Sequence, residues 1–170
     1  MSGAGGVDRL NALSTAEAEA AFLACCGSRA WSGRMTEGRP YRDAGHLFET
    51  ADRVWWGLDR VDWLEAFAAH PRIGEKKTAA DRSGRWSAQE QAGAVDAEAA
   101  VLSELAEANR IYAERFGHIF IVCATGKSAG EMLGLLRARL GSDPVTELGV
   151  AAEEQRKITR LRLEKWLEGA

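Results

Sequence analysis

Apolar residues recur along the chain at three- and four-residue intervals, and the breaks between these runs carry helix-capping residues. Ser14-Thr15-Ala16-Glu17 reads as a capping box, and Gly27 can close that helix after Cys26. Asp43 opens a second run with Leu47, Phe48, Ala51, Val54 and Trp55 at helical spacing. Asp62 with Glu65 marks a third start, and that helix must stop near His70 because Pro71 follows. Ser87 with Glu90 opens a long Ala/Glu-rich segment that reaches Phe116, with Gly117 as its stop. Ser128 with Glu131 begins the next helix, ended by Gly141. Asp143-Pro144 then starts a last one through Trp166, with proline at the favoured first position.

One stretch breaks the pattern. His118-Ile119-Phe120-Ile121-Val122-Cys123-Ala124 is apolar and β-branched, with no helical stripe, so an extended segment and a buried helix end both fit it. One strand makes no sheet. The pattern therefore predicts an all-α, single-domain helical bundle of about seven or more helices with one short extended apolar segment. The domain is expected to span residues 1–170, with the Gly-rich residues 1–8 flexible and residues 73–85 forming a long interior loop.

Composition narrows the partners. The 170 residues carry a net charge of −3, with basic and acidic side chains intermixed, which argues against a nucleic-acid or anionic-membrane surface. A small anionic substrate stays compatible with this balance, because a few local arginines suffice to bind it. The start of the chain lacks the layout of a secretory signal and no apolar run is long enough to span a bilayer, so a cytoplasmic location is expected. The three cysteines, Cys25, Cys26 and Cys123, form no CxxC pair and read as reduced core residues.

His70 has the most informative setting of the three histidines. It lies at a predicted helix end before a proline, which turns its side chain off the helix axis. The negative end of the helix dipole is expected to favour the protonated imidazole, poised for proton transfer near neutral pH. From local context alone, a His that merely caps exposed carbonyls fits as well. Ser87-Ala88-Gln89-Glu90-Gln91 has the same ambiguity. It is a capping box in its own right, and its free backbone N–H groups could also hold an anionic oxygen, with Glu90 orienting His70.

Other motifs fall away. His70 and Glu75 have no third ligand at a suitable spacing, so no metal site is expected. Thr125-Gly126-Lys127-Ser128 ends like a phosphate loop, but Ile121 stands where the first glycine is required. The tryptophans read mostly as core anchors, with Trp55 and Trp56 as a partial dimer patch.

Four motifs in order resemble one family. They are His70-Pro71-Arg72-Ile73-Gly74-Glu75, Ser87 to Gln91, Phe116 to Ala124, and the closing run from Glu154 to Leu163. Together they are similar to the 2-oxo-4-hydroxy-4-carboxy-5-ureidoimidazoline (OHCU) decarboxylases, over nearly the whole chain. The resemblance implies an all-helical, cofactor-free, homodimeric enzyme. It would convert the product of hydroxyisourate hydrolysis to (S)-allantoin in urate catabolism. It further implies His70 as the catalytic acid and Glu90 as its partner. Pro71, Ser87, Ala88, Gln89, Glu90 and Gln91 would contact substrate, as would the backbone of Val122, Cys123, Ala124, Thr125 and Gly126. An arginine of the last helix would meet the substrate carboxylate, and Arg162 fits the family pattern better than Arg160. Two other classes compete with this one: a helical binding module without turnover, and a protein acting through reactive cysteines.

Overall fold

The structure, a computed structural model, describes residues 2–71 and 95–169. Eight α-helices run through them: α1 Ser2–Ala12, α2 Thr15–Cys25, α3 Arg29–Glu37, α4 Ala44–Trp56, α5 Arg60–Ala68, α6 Val95–Phe116, α7 Ala129–Arg139 and α8 Pro144–Glu168. No strand occurs among the described residues, which makes the fold all-α as the pattern predicts. None of these helices is long and apolar enough to cross a membrane. The chain forms two compact units. Residues 1–70 and 150–170 make the first, and residues 71–149 make the second.

In the first unit the predicted caps are in place. Ser14 Oγ accepts the Glu17 N–H while the Glu17 carboxylate accepts the Ser14 N–H, each at 3.1 Å, so two orphan donors are satisfied reciprocally. Asp43 accepts the His46 N–H at 2.8 Å and opens α4, whose Leu47, Ala51 and Trp55 are buried at helical spacing. Trp31 and Phe22 meet edge to face at 5.7 Å in the core. Each buried indole also finds a carbonyl: Trp31 Nε1 donates to Ala51 O at 3.1 Å and Trp55 Nε1 to Ala152 O at 3.0 Å. Trp55 is thus internal, and the expected dimer patch keeps only Trp56, which is 44% exposed and stands edge-on to Trp63.

Three details differ from the sequence reading. Helix α5 begins at Arg60 after Asp59, not at Asp62, whose place is in the first turn; Glu65 instead accepts the Arg29 N–H at 3.0 Å. Gly27 lies beyond the cap residue Cys26, and its value is space: a Cβ there would stand 2.4 Å from Ala69 Cβ. The missing side chain lets the α2–α3 turn approach the end of α5 beside His70. Residues 2–8, expected to be flexible, lie in α1, where Val7 and Leu10 are buried.

The second unit is built on α6. Leu105, Ala108, Tyr112 and Phe116 form one apolar stripe of that helix, and they pack with Phe120, Val122, Leu133 and Leu136. Gly117 ends α6 with φ +79°, a conformation only glycine adopts freely, and its N–H caps Ala113 O at 2.9 Å. Residues 118–124 are neither helix nor strand, which settles the choice left by the periodicity against a helix end.

Candidate active site

His70 ends the first turn beyond α5, where its N–H still bonds Phe67 O at 3.1 Å. Its half-buried ring points at α8. The Nε2 atom lies 2.6 Å from Gln155 Oε1, and Gln155 Nε2 in turn donates to Thr159 Oγ1 at 3.0 Å. Gln155 is fully buried and Thr159 nearly so. Residues 155, 159 and 162 are spaced to share one face of a helix, which places Arg162 on the His70 side of α8.

Electrostatics reverse the sequence expectation for this histidine. Burial lowers its proton affinity, the Gln155 hydrogen bond raises it by less, and the nearby Arg162 charge lowers it again. The dipole of α5 acts only over its last turn and does not offset desolvation. His70 therefore rests as a neutral imidazole close to a cation, a setting that an incoming anion would change.

The two arginines proposed for the substrate carboxylate are in different states. Arg160 is committed: its Nε donates to Glu164 at 2.8 Å and its guanidinium lies 3.8 Å over the Phe48 ring. Arg162 is exposed and meets no carboxylate among the described residues; its Nη1 donates to the Cys25 carbonyl at 3.3 Å. A guanidinium with no carboxylate partner among the described residues keeps donors that a carboxylate or phosphate can take. Cys25 and Cys26, also close by, have thiols pushed by burial up to about 11, so neither is a ready nucleophile.

In the second unit, the 118–126 stretch is held by a buried ionic cluster. Arg139 Nη1 donates to Ile121 O at 2.7 Å and Arg139 Nε to Glu147 Oε2 at 2.7 Å, while the guanidinium covers the Phe120 ring at 4.4 Å. The Tyr112 hydroxyl donates to the same Glu147 oxygen. Burial, and then the Glu147 carboxylate, push the Tyr112 phenol far up, so it remains a donor. Val122 and Cys123 are buried, whereas Ala124, Thr125 and Gly126 form an exposed turn with φ +78° at the glycine. Lys127 does not reach outward like a phosphate-loop lysine. Its Nζ donates back to Cys123 O at 2.9 Å. His118 packs against the Tyr112 and Phe116 rings.

Of the predicted site residues, His70 and Arg162 thus stand together in the first unit. Pro71 follows His70 and is exposed, and Val122 to Gly126 belong to the second unit. Ser87, Ala88, Gln89, Glu90 and Gln91 lie outside the described residues, as do the expected helix start at Ser87 and the 73–85 loop. Among the described residues, no three His, Cys, Asp or Glu side chains group as metal ligands. The sequence reading missed Gln155 and Thr159. Their signal was available as a polar stripe at i, i+4 and i+7 ending on Arg162.

Comparison with known proteins gives one answer. The family model for OHCU decarboxylase matches residues 11–164. The uric acid degradation bifunctional protein TTL of Arabidopsis thaliana is 42% identical over 83% of this chain, and the match covers 44% of that protein. The chain thus spans less than half the length of this relative, and a quarter of the bifunctional PucL of Bacillus subtilis. The 2-oxo-4-hydroxy-4-carboxy-5-ureidoimidazoline decarboxylase of Amia calva is 40% identical over 79% of this chain and 75% of its own length. A crystal structure of OHCU decarboxylase in the presence of (S)-allantoin superposes with a TM-score of 0.73 at 37% identity, over 88% of this chain and 97% of the other.

Proposed function

The chain belongs to the OHCU decarboxylase family, and from that premise we propose that it decarboxylates OHCU to (S)-allantoin with His70 as the proton-transfer residue. The observation that carries the proposal is the pairing of a neutral, amide-held His70 with an Arg162 free of any carboxylate among the described residues. Arg162 receives the substrate carboxylate. The bound anion offsets the arginine charge and raises the proton affinity of His70. As CO2 leaves, its bonding pair moves into the ring and onto the adjacent C=N group, so no external electron sink is needed. The nitrogen of the former C=N takes up a proton, the ring hydroxyl becomes a carbonyl as its proton departs, and a second proton arrives at the carbon of the former C=N. One proton is consumed per substrate anion. Delivery from a fixed imidazole on one face gives one enantiomer.

The remaining roles follow the family resemblance. Glu90 partners His70, and Pro71, Ser87, Ala88, Gln89 and Gln91 line the pocket. The backbone of residues 122–126 binds the ring or ureido group, and its buried apolar side chains keep water away. The chain acts as one domain over residues 1–170, without a cofactor, as a cytoplasmic homodimer. Exposed Trp56 and the neighbouring Val61, 74% exposed, support a partner face near the start of α5.

The test is kinetic. Substrate is generated in situ from urate, and its decay and CO2 release are followed with and without the protein. Turnover well above the spontaneous rate, unaffected by a chelator, is expected. A rate equal to the spontaneous one would leave a binding module of the same fold.

A further inference from the structure

The histidine's contact with α8 says which of its nitrogens works. His70 Nε2 meets Gln155 Oε1 at 2.6 Å, and its Nδ1 makes no hydrogen bond among the described residues. The Gln155 amide is oriented from its other end. Its Nε2 donates to Thr159 Oγ1 at 3.0 Å. This chain runs one way: imidazole N–H to amide oxygen, then amide N–H to hydroxyl oxygen. Gln155 is completely buried and Thr159 nearly so, so water cannot substitute for a misdirected donor at the amide.

We infer that Gln155 is a positioning residue that holds His70 in the Nε2–H tautomer, leaving Nδ1 as the nitrogen that takes and returns the reacting proton. The inference rests on the reading of His70 as the proton-transfer residue, and adds to it which atom acts and what fixes it. An imidazolium donates from both nitrogens, so an acceptor oxygen at Nε2 serves the neutral and charged rings alike. The amide then need not turn over during catalysis, and the ring keeps one aim through the cycle. A neutral amide also suits this position better than a carboxylate, which would hold the ring charged before substrate arrives.

The decisive experiment is two-bond 1H–15N correlation NMR on the full chain labelled with 15N-histidine. The His70 signals are assigned by their loss in His70→Gln. At a pH where the ring is neutral, the expected pattern has a protonated Nε2 and an unprotonated Nδ1. The reverse pattern overturns the proposal, and the only variant this result needs is His70→Gln, for the assignment. Gln155→Met keeps the length but removes the acceptor. It should mix the tautomers and lower kcat roughly tenfold with KM within about twofold. Gln155→Glu, which restores an acceptor oxygen, should restore the protonated Nε2 and raise the pH at which Nδ1 loses its proton. Wild-type kcat in Gln155→Met would also overturn the proposal. A fully active His70→Ala would instead remove the proton-transfer reading itself, and the tautomer spectrum tells that failure apart.

Discussion

The two units solve the problem of a buried polar group in opposite ways. In the second, Arg139 and Glu147 are both taken out of water as an ion pair, closed by Tyr112 and by the Ile121 carbonyl. The charges are matched and the chain segment they grip is fixed. In the first, the groups hydrogen-bonded in line with His70 are a neutral amide and a hydroxyl, and Arg162, whose charge acts on the imidazole, has no acidic partner among the described residues. An ion pair matched in charge does not attract a further ion. A neutral imidazole beside an unmatched cation is completed by an anion. The contrast separates a cluster that holds structure from one that waits for substrate.

That contrast can be broken from either side. The largest effect is expected from His70→Ala, which should lower kcat by roughly 10²–10⁴-fold, the usual range for a lost proton-transfer group, with the helical circular dichroism spectrum unchanged. Removing one charge of the other cluster should act on stability instead. Arg139→Met leaves Glu147 buried and unpaired, and urea unfolding should show a loss of about 3–5 kcal/mol. Arg162→Gln should raise KM by about 10–100-fold, the value of a charge-assisted bond to substrate, and leave unfolding unchanged. Arg160→Ala, on another face of α8 and already paired, should leave KM as it was. Gly27→Ala drives a methyl into Ala69 and should cost about 1–3 kcal/mol by the same unfolding assay.

The smallest effect concerns pH. His70 binds its proton less well in the folded chain than at its ordinary value of 6.5. The unfolded chain therefore takes up the proton first as pH falls. His70 contributes stability above 6.5 that is lost as pH drops from there toward its lowered folded value. Thermal unfolding across that window should show this slope, and His70→Gln should flatten it.

Much of this was legible from local signals. The caps at Ser14, Asp43 and Ser128 act within one turn, so their residue types alone locate α2, α4 and α7. Helix α1 was hidden because its glycines disfavour helix, and tertiary packing of Val7 and Leu10 overrides them. Helix α3 was hidden because its buried positions include Ser32 and Thr36, which interrupt the apolar stripe. At the candidate site, His70 was singled out by its setting before Pro71 and Arg162 by the family motif. Gln155 was passed over, because a glutamine in the run Glu153-Glu154-Gln155-Arg156-Lys157 reads as solvent-facing unless its i, i+4, i+7 spacing with Thr159 and Arg162 is weighed. The direction of the His70 shift was misjudged for the same reason: the helix dipole is local, whereas burial and the Arg162 charge come from elsewhere in the chain.

The most direct test is the optical activity of the product. Urate is oxidised in the presence of hydroxyisourate hydrolase, and circular dichroism follows allantoin as it forms. With the chain present, the signal of (S)-allantoin should appear early, and with His70→Ala it should be absent, leaving slow racemic product. An undiminished (S)-allantoin signal from His70→Ala, or none from the wild-type chain, would contradict the assignment of the proton delivery to His70.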